Sequence, residues 1–311
     1  VLDHYGANRA RLGLEGVEPD PHPSPSELAA DRDLMHRGLE WCAKQGITSI
    51  QNMDGNFYQL ELLADLEKEG RLLCRTKIPF HFKNFMKLDM LEKASRMAAT
   101  YKSEWLSSGM VKVFYDGVLD SWTAVMVDDY ADRPGWRGEP LFSPQRVEHI
   151  EVITAPDVPR FAELGVLASM QPAHPPGAMN FPLEPTISRI GRDKWPSSYA
   201  WRTLKNAGAR VVFASDWPVS PVDPILSIQA AVMRKPWAEG MPDQSFSLRE
   251  AIQGYTVEGA YAEFMEDRKG RLKTGYLADI VVLSADIEAT APEALHTVRP
   301  VTTICGGRVT Y

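Results

Sequence analysis

The chain has 311 residues, of which 44% are hydrophobic and 24% charged, so it is too apolar for a disordered protein. Its 34 Lys and Arg against 41 Asp and Glu give a net charge of −7, which excludes the basic footprint of a nucleic-acid binder or an anionic-membrane ligand. No apolar run approaches the roughly 18 residues that would span a bilayer.

The first 25 residues are polar and Pro-rich and read as loop or linker, and VLDH at the start does not read as a secretory signal. Residues 26–45 then form a helix, with Leu28, Met35, Leu39 and Cys42 on one face and Gly46 closing it. A β-branched strand over 46–51 follows. A helix over 57–69, a strand over 72–78, a helix over 90–105 and a strand over 110–115 continue the alternation. Further on, a strand over 146–152 precedes a helix over 158–164 and a strand over 165–171. A helix over 197–208, a strand over 210–215 and a long helix over 247–264 complete the series. The last helix opens on a capping box, Ser247 to Glu250. Helices alternating with buried strands mean a parallel α/β sheet, and this many units favour a (β/α)8 barrel. No Gly-rich phosphate-binding motif is present, so nothing supports nucleotide binding.

From Gly270 the texture changes to short, Gly-punctuated strands without a helix, closing on a tight hairpin over 304–311. Residues 1–269 are therefore expected to form the barrel and 270–311 a small β appendage that needs partner strands from elsewhere. The three cysteines, Cys42, Cys74 and Cys305, are odd in number and widely spaced. They form no disulfide framework and point to a reducing, cytoplasmic compartment.

One stretch breaks the alternation. Between the strands at 110–115 and 146–152 lie 30 residues of turn chemistry, where parallel neighbours need a helical crossover. Ser143-Pro144-Gln145 starts a helix that has no body. The expectation is that at least one βα unit is missing after Gln145; the alternative is a long loop between antiparallel strands.

Three residues sit oddly for a structural role. Lys112 lies inside an apolar strand, where a buried ammonium needs a partner or a modification. His149 falls near the end of a strand, and Asp216 ends the apolar run 211–215. Each has an ordinary alternative: an ion-paired Lys, a hydrogen-bonded core His, a turn Asp. Together they occupy the C-terminal regions of separate strands, where a barrel keeps its chemistry, and their oxygen and imidazole donors suit zinc, manganese or iron.

The tail Gly270-Arg-Leu-Lys-Thr-Gly275-Tyr-Leu-Ala-Asp279-Ile-Val-Val-Leu283 resembles the closing segment of the amidohydrolase superfamily. The runs Val111-Lys-Val-Phe-Tyr-Asp-Gly117, Arg146-Val-Glu-His149, Ala168-Ser-Met-Gln-Pro172 and Ala214-Ser-Asp216-Trp-Pro218 resemble one branch of it. That branch includes N-substituted formamide deformylases and exoenzyme-regulator-like amidohydrolases. The resemblance implies an α/β fold: a (β/α)8 TIM barrel of the metal-dependent hydrolase type, here incomplete, with a small β-sandwich appendage. It implies a divalent metal, one or two zinc ions, held by Lys112 as a carbamate, by His149 and by Asp216, with Asp216 also the general base. The family's strand-1 His-x-His does not occur among the seven histidines, and its strand-5 His would fall in the break after Gln145. Six of the eight barrel strands are recognisable.

The implied activity is metal-assisted hydrolysis of a carbon–nitrogen bond in a small amide, formamide or cyclic amide. His174, His81 and Trp122 are candidate substrate contacts, with Trp136 as a second wall of an apolar pocket; a loop His and an aromatic loop anchor are the alternatives. Two other functions stay open: a catalytically degenerate ligand-binding or regulatory protein of the same fold, and a metal-free lyase using Lys112 as a Schiff-base amine. A homo-oligomer is also left open.

Overall fold

The computed structural model describes residues 17–140, 149–179 and 181–311. In chain order the elements are α1 (Pro25–Lys44), β1 (Ser49–Gln51), α2 (Phe57–Lys68), β2 (Arg75–Lys77), β3 (Phe80–Phe82), α3 (Glu92–Thr100), β4 (Leu106–Ser107) and β5 (Val111–Val113). They continue with α4 (Val158–Glu163), β6 (Ala168–Met170), α5 (Thr186–Ile190), α6 (Trp201–Asn206), β7 (Val211–Phe213), α7 (Pro224–Val232), α8 (Leu248–Tyr255), α9 (Val257–Ala262), β8 (Ile280–Leu283), β9 (Pro300–Cys305) and β10 (Arg308–Val309). The chain divides into two compact units, one of residues 1–114, 278–282 and 300–311, the other of 115–277 and 283–299.

In the first unit, β1, β2 and β4 form a parallel sheet, and β3 pairs with β5, also in parallel. The passage β2–β3 bends at Pro79, and β4–β5 bends beside it. Thr76 pairs with Leu106 but Phe80 pairs with Val111, so the second passage holds one extra residue, next to Gly109 at φ +117. That is a bulge, and only glycine adopts such a φ cheaply. Because side chains alternate along a strand, one inserted residue decides which face Lys112 takes. It lies in register with His81, and it is the buried residue of its strand: Lys112 is 9% exposed while Val111 beside it is 36% exposed. The core of this unit is built on Leu60, Leu63, Leu66, Leu72, Cys74 and Ile78. The expected hairpin is present as β9 and β10 around Gly306-Gly307, with β8 on the other side of β9.

In the second unit, β6 and β7 pair in parallel, Ala168 with Val211 through Met170 with Phe213. Trp201, Phe213 and Phe246 pack edge-on and tilted in its core, with ring centroids 5.3–6.4 Å apart. The capping box opens α8 as the sequence indicates, with Ser247 Oγ accepting from the Glu250 N–H.

Four expectations need correction. Residues 149–152 are not a strand: His149 and Ile150 have left-handed φ of 74° and 49°, and only Val152 bridges, to Ser198. The buried pair there is Ile150 and Ile153, three apart rather than alternating. Residues 146–148, and the proposed break after Gln145, lie outside the described residues. The long helix over 247–264 is two helices, broken at Thr256, whose φ of −120° and ψ of −76° leave the helical region. The tail is not helix-free, because Pro292–Thr297 forms a 3-10 turn. The helix over 90–105 ends at Thr100, and Leu106–Ser107 is the short strand β4. All three cysteines are free and buried. Among the described residues, no helix is long and apolar enough to cross a membrane.

Candidate metal centre

Parallel pairing places the C-terminal ends of β6 and β7 side by side, and the Ala214 N–H donates to the Met170 carbonyl to extend the ladder past both strands. The chain that leaves β6 runs Gln171-Pro-Ala-His174, a turn closed by the His174 N–H donating to the Gln171 carbonyl at 3.1 Å. The chain that leaves β7 reaches Asp216, whose φ of 54° is left-handed and whose carbonyl accepts the Val219 N–H at 2.8 Å. Asp tolerates that backbone better than most residues, because its short polar side chain bonds locally.

His149 joins these two. One atom from each of His149, His174 and Asp216 lies within 4.8 Å of the others. The two imidazoles stack, with centroids 5.7 Å apart and planes 21° apart. His174 Nε2 is 3.5 Å from Asp216 Oδ2, and it is buried without a hydrogen-bond partner. A tetrahedral cation with ligand bonds near 2 Å sets its ligands about 3.4 Å apart, so this spacing suits one. Burial pushes the His174 imidazole down to about 4, so it is neutral near pH 7 and offers a lone pair. His149 Nδ1 is 2.8 Å from Gln171 Oε1. The donor set of two imidazoles and a carboxylate, with an orphaned ring nitrogen, fits a divalent metal.

Carboxyl groups close to His149 are desolvated. Burial pushes Glu151 up to about 7, although His149 and a hydrogen bond with the Tyr199 hydroxyl oppose the shift. Burial also raises Asp116, whose Oδ2 accepts the Val125 N–H at 2.7 Å.

Lys112, His81 and Trp122 are the other expected site residues. Lys112 belongs to the first unit, on β5, with its ammonium 4.7 Å from the Phe114 ring centroid. His81 faces it across the β3–β5 pair, fully buried, with Nδ1 2.5 Å from Asp54 Oδ1 but off the line of a hydrogen bond. Trp122 is committed within its own loop: its Nε1 donates to Asp132 at 3.1 Å, and the Arg189 guanidinium lies 4.1 Å over its ring. Trp136 Nε1 donates to the Trp122 carbonyl, making the pair a loop anchor. The structure thus brings His149 and Asp216 together, adds His174, and exposes two residues that sequence reasoning missed, Gln171 and Glu151. A buried polar residue directly after an apolar strand is the signal that would have found Gln171.

The model of the amidohydrolase family (Amidohydro_3) matches the chain in two stretches, residues 7–145 and 132–311. Protein LONG AFTER FAR-RED 3 of Arabidopsis thaliana is 25% identical over 331 aligned residues, covering 85% of this chain and 55% of its own. An N-substituted formamide deformylase of Arthrobacter pascens is 25% identical over 241, covering 76% and 41%. The chain therefore spans about half the length of these curated relatives. The crystal structure of an uncharacterized metal-dependent hydrolase from Pyrococcus horikoshii OT3 superposes with a TM-score of 0.72 at 21% identity, over 86% of this chain and 62% of that one. The likeness shows a shared α/β fold.

Proposed function

Because the chain belongs to the amidohydrolase family, we propose that it is a metal-dependent hydrolase that uses water to cleave a non-peptide carbon–nitrogen bond in a small amide, formamide or cyclic amide. The observation that carries this reading is the His149–His174–Asp216 cluster at the ends of two parallel strands. The same cluster argues against a degenerate binding module, which has no need of convergent metal donors.

In this reading, His149, His174 and Asp216 hold a divalent cation, with zinc the best match to two imidazoles and a carboxylate. When bound, such an ion polarises a carbonyl and makes water acidic enough to attack at neutral pH. The protein's own part is to place and move protons. Asp216 Oδ2 accepts the proton of the attacking water and returns it to the departing nitrogen, so that carboxylate begins and ends the cycle ionised. His174, kept neutral by burial, adds no charge that would repel a cation. Lys112 is proposed as a further ligand in carboxylated form. Its burial beside the more exposed Val111 supports this: the neutral amine would add carbon dioxide and release a proton to give an anionic carbamate whose charge a cation would offset. His81 and Trp122 are proposed as outlying contacts for a substrate.

The barrel is proposed to be closed and eight-stranded in the relatives, with 270–311 contributing to a β-sandwich. Supporting the internal break, the family match splits into two stretches that meet at 132–145, and the Arabidopsis alignment is longer than the part of this chain it covers.

Asp216→Asn tests the reading, since Asn keeps the left-handed backbone and loses the base. The expected outcome is an unchanged circular dichroism spectrum and a loss of about 100-fold or more in metal-dependent amide turnover. Undiminished turnover refutes the role.

A further inference from the structure

His149 has a structural problem that its neighbours must solve. Among the described residues it belongs to no strand, and its left-handed φ is succeeded by another at Ile150, so the ring needs a side-chain partner to fix where it points. A metal ligand needs a fixed ring and a fixed tautomer.

Gln171 supplies both. It is 4% exposed, directly after β6, and its Oε1 is 2.8 Å from His149 Nδ1. An amide oxygen can only accept, so the proton of that bond belongs to His149 Nδ1, and the lone pair is left on Nε2. The main chain of the same residue holds the second imidazole, because its carbonyl accepts the His174 N–H that closes the turn. One residue before it, the Met170 carbonyl accepts the Ala214 N–H, which ties this turn to the strand that delivers Asp216. Gln171 thus touches two of the three donors, His149 through its side chain and His174 through its backbone, while its neighbour Met170 bonds the strand that delivers Asp216.

We propose that Gln171 is a positioning residue, whose side-chain amide holds His149 as the Nδ1–H tautomer and thereby presents Nε2 to the cation. This rests on the metal-centre reading above. The neutral amide orients the ring without adding charge, so an acidic residue at this position would retain the acceptor and a thioether of the same length would not.

The test is metal affinity, read by competition with a chromophoric chelator for zinc, together with the visible spectrum of the cobalt-loaded protein. Gln171→Met, which keeps volume and removes the acceptor, is expected to bind zinc about 10–100-fold more weakly and to alter the cobalt spectrum. Gln171→Glu is expected to stay within about threefold of the unaltered chain. Two results would overturn the proposal: Gln171→Met binding like the unaltered chain while His149→Ala loses affinity, or Gln171→Glu falling as far as Gln171→Met. Should His149→Ala bind zinc normally, the metal reading itself fails and the proposal falls with it. An independent measurement needs no variant: ¹⁵N NMR of the metal-free chain should show the His149 proton on Nδ1, and a proton on Nε2 would sink the idea.

Discussion

The two compact units handle difficult chemistry in opposite ways. In the first, every left-handed φ among the described residues belongs to glycine, at Gly46, Gly70, Gly109, Gly306 and Gly307. Its buried charge is heavily partnered: the Arg75 guanidinium donates from Nε and Nη2 to Asp279 and from Nη1 to Glu104, and stacks 5.0 Å from the Trp105 ring. In the second unit, seven residues with side chains take left-handed φ: Trp122, His149, Ile150, Met179, Tyr199, Asp216 and Phe264. Such backbone costs on the order of 1–3 kcal/mol per residue and persists only where the surroundings impose it. His149, Ile150 and Asp216 are in or beside the donor cluster, and Tyr199 bonds to Glu151 next to it. The contrast teaches where selection tolerated strain: one unit spends its polar groups on holding the chain together, the other on aiming side chains.

The largest effect that would break this comparison lies in the first unit. Asp279 joins the C-terminal stretch to β2 through Arg75 and also accepts the Gly306 N–H at 2.7 Å. Asp279→Ala leaves a buried guanidinium half-compensated and should cost about 3–5 kcal/mol of stability by urea unfolding. A loss below about 1 kcal/mol would show that the pair is screened like a surface bridge and does not tie the unit together.

Smaller, and pH-dependent, is the ion pair of the second unit. Arg202 forks onto Glu250 at 2.8 and 2.7 Å, and Ser247 adds its N–H and hydroxyl. The guanidinium is the main reason that this carboxyl titrates at about 2 rather than 4.5. Its folded value is depressed, so its stabilisation is present above pH 4.5 and is lost as pH falls from 4.5 toward 2. Glu250→Gln should lower stability at neutral pH by about 1–2 kcal/mol and flatten that acid limb. A variant whose acid limb still matches the parent would mean that other carboxylates carry it.

Much of the scaffold is legible in the sequence because it is local. Leu28, Leu39 and Cys42 repeat at helical spacing, Ser247 and Glu250 announce α8, and the apolar runs at 168–170 and 211–213 are strands. The helix α7 is absent from that reading, although Asp223 caps it and Pro224 stands in its first turn. At five residues, α5 is too short to show a period. At the site, motif order marks His149 and Asp216, whereas His174 reads as a substrate contact until the parallel β6–β7 pairing puts it between them. Gln171 is marked only by its place directly after an apolar strand; its partner is 22 residues away in the chain, and no periodic pattern encodes a contact of that kind. The bulge near Gly109 is equally silent, since it exists only relative to the register of another strand.

The smallest effect sharpens the comparison by separating strain that aims a side chain from strain that does not. Phe264 follows α9 in the left-handed position after the helix end, where its N–H donates to the Tyr261 carbonyl and the Met265 N–H to the Ala260 carbonyl. That is the double bond pattern with which helices usually end on glycine. Phe264 is 84% exposed, so truncating it removes little packing. Phe264→Gly should therefore stabilise the chain, by up to about 1 kcal/mol: relief of the left-handed penalty outweighs the extra freedom glycine gives the unfolded state. Zinc affinity should not move, because neither the ring nor its backbone touches the donor cluster. Thermal unfolding checks the sign, and a destabilised variant would mean that the phenyl ring is held by contacts its exposure conceals. Asp216 offers no such relief, since glycine there would remove a carboxylate of the donor cluster.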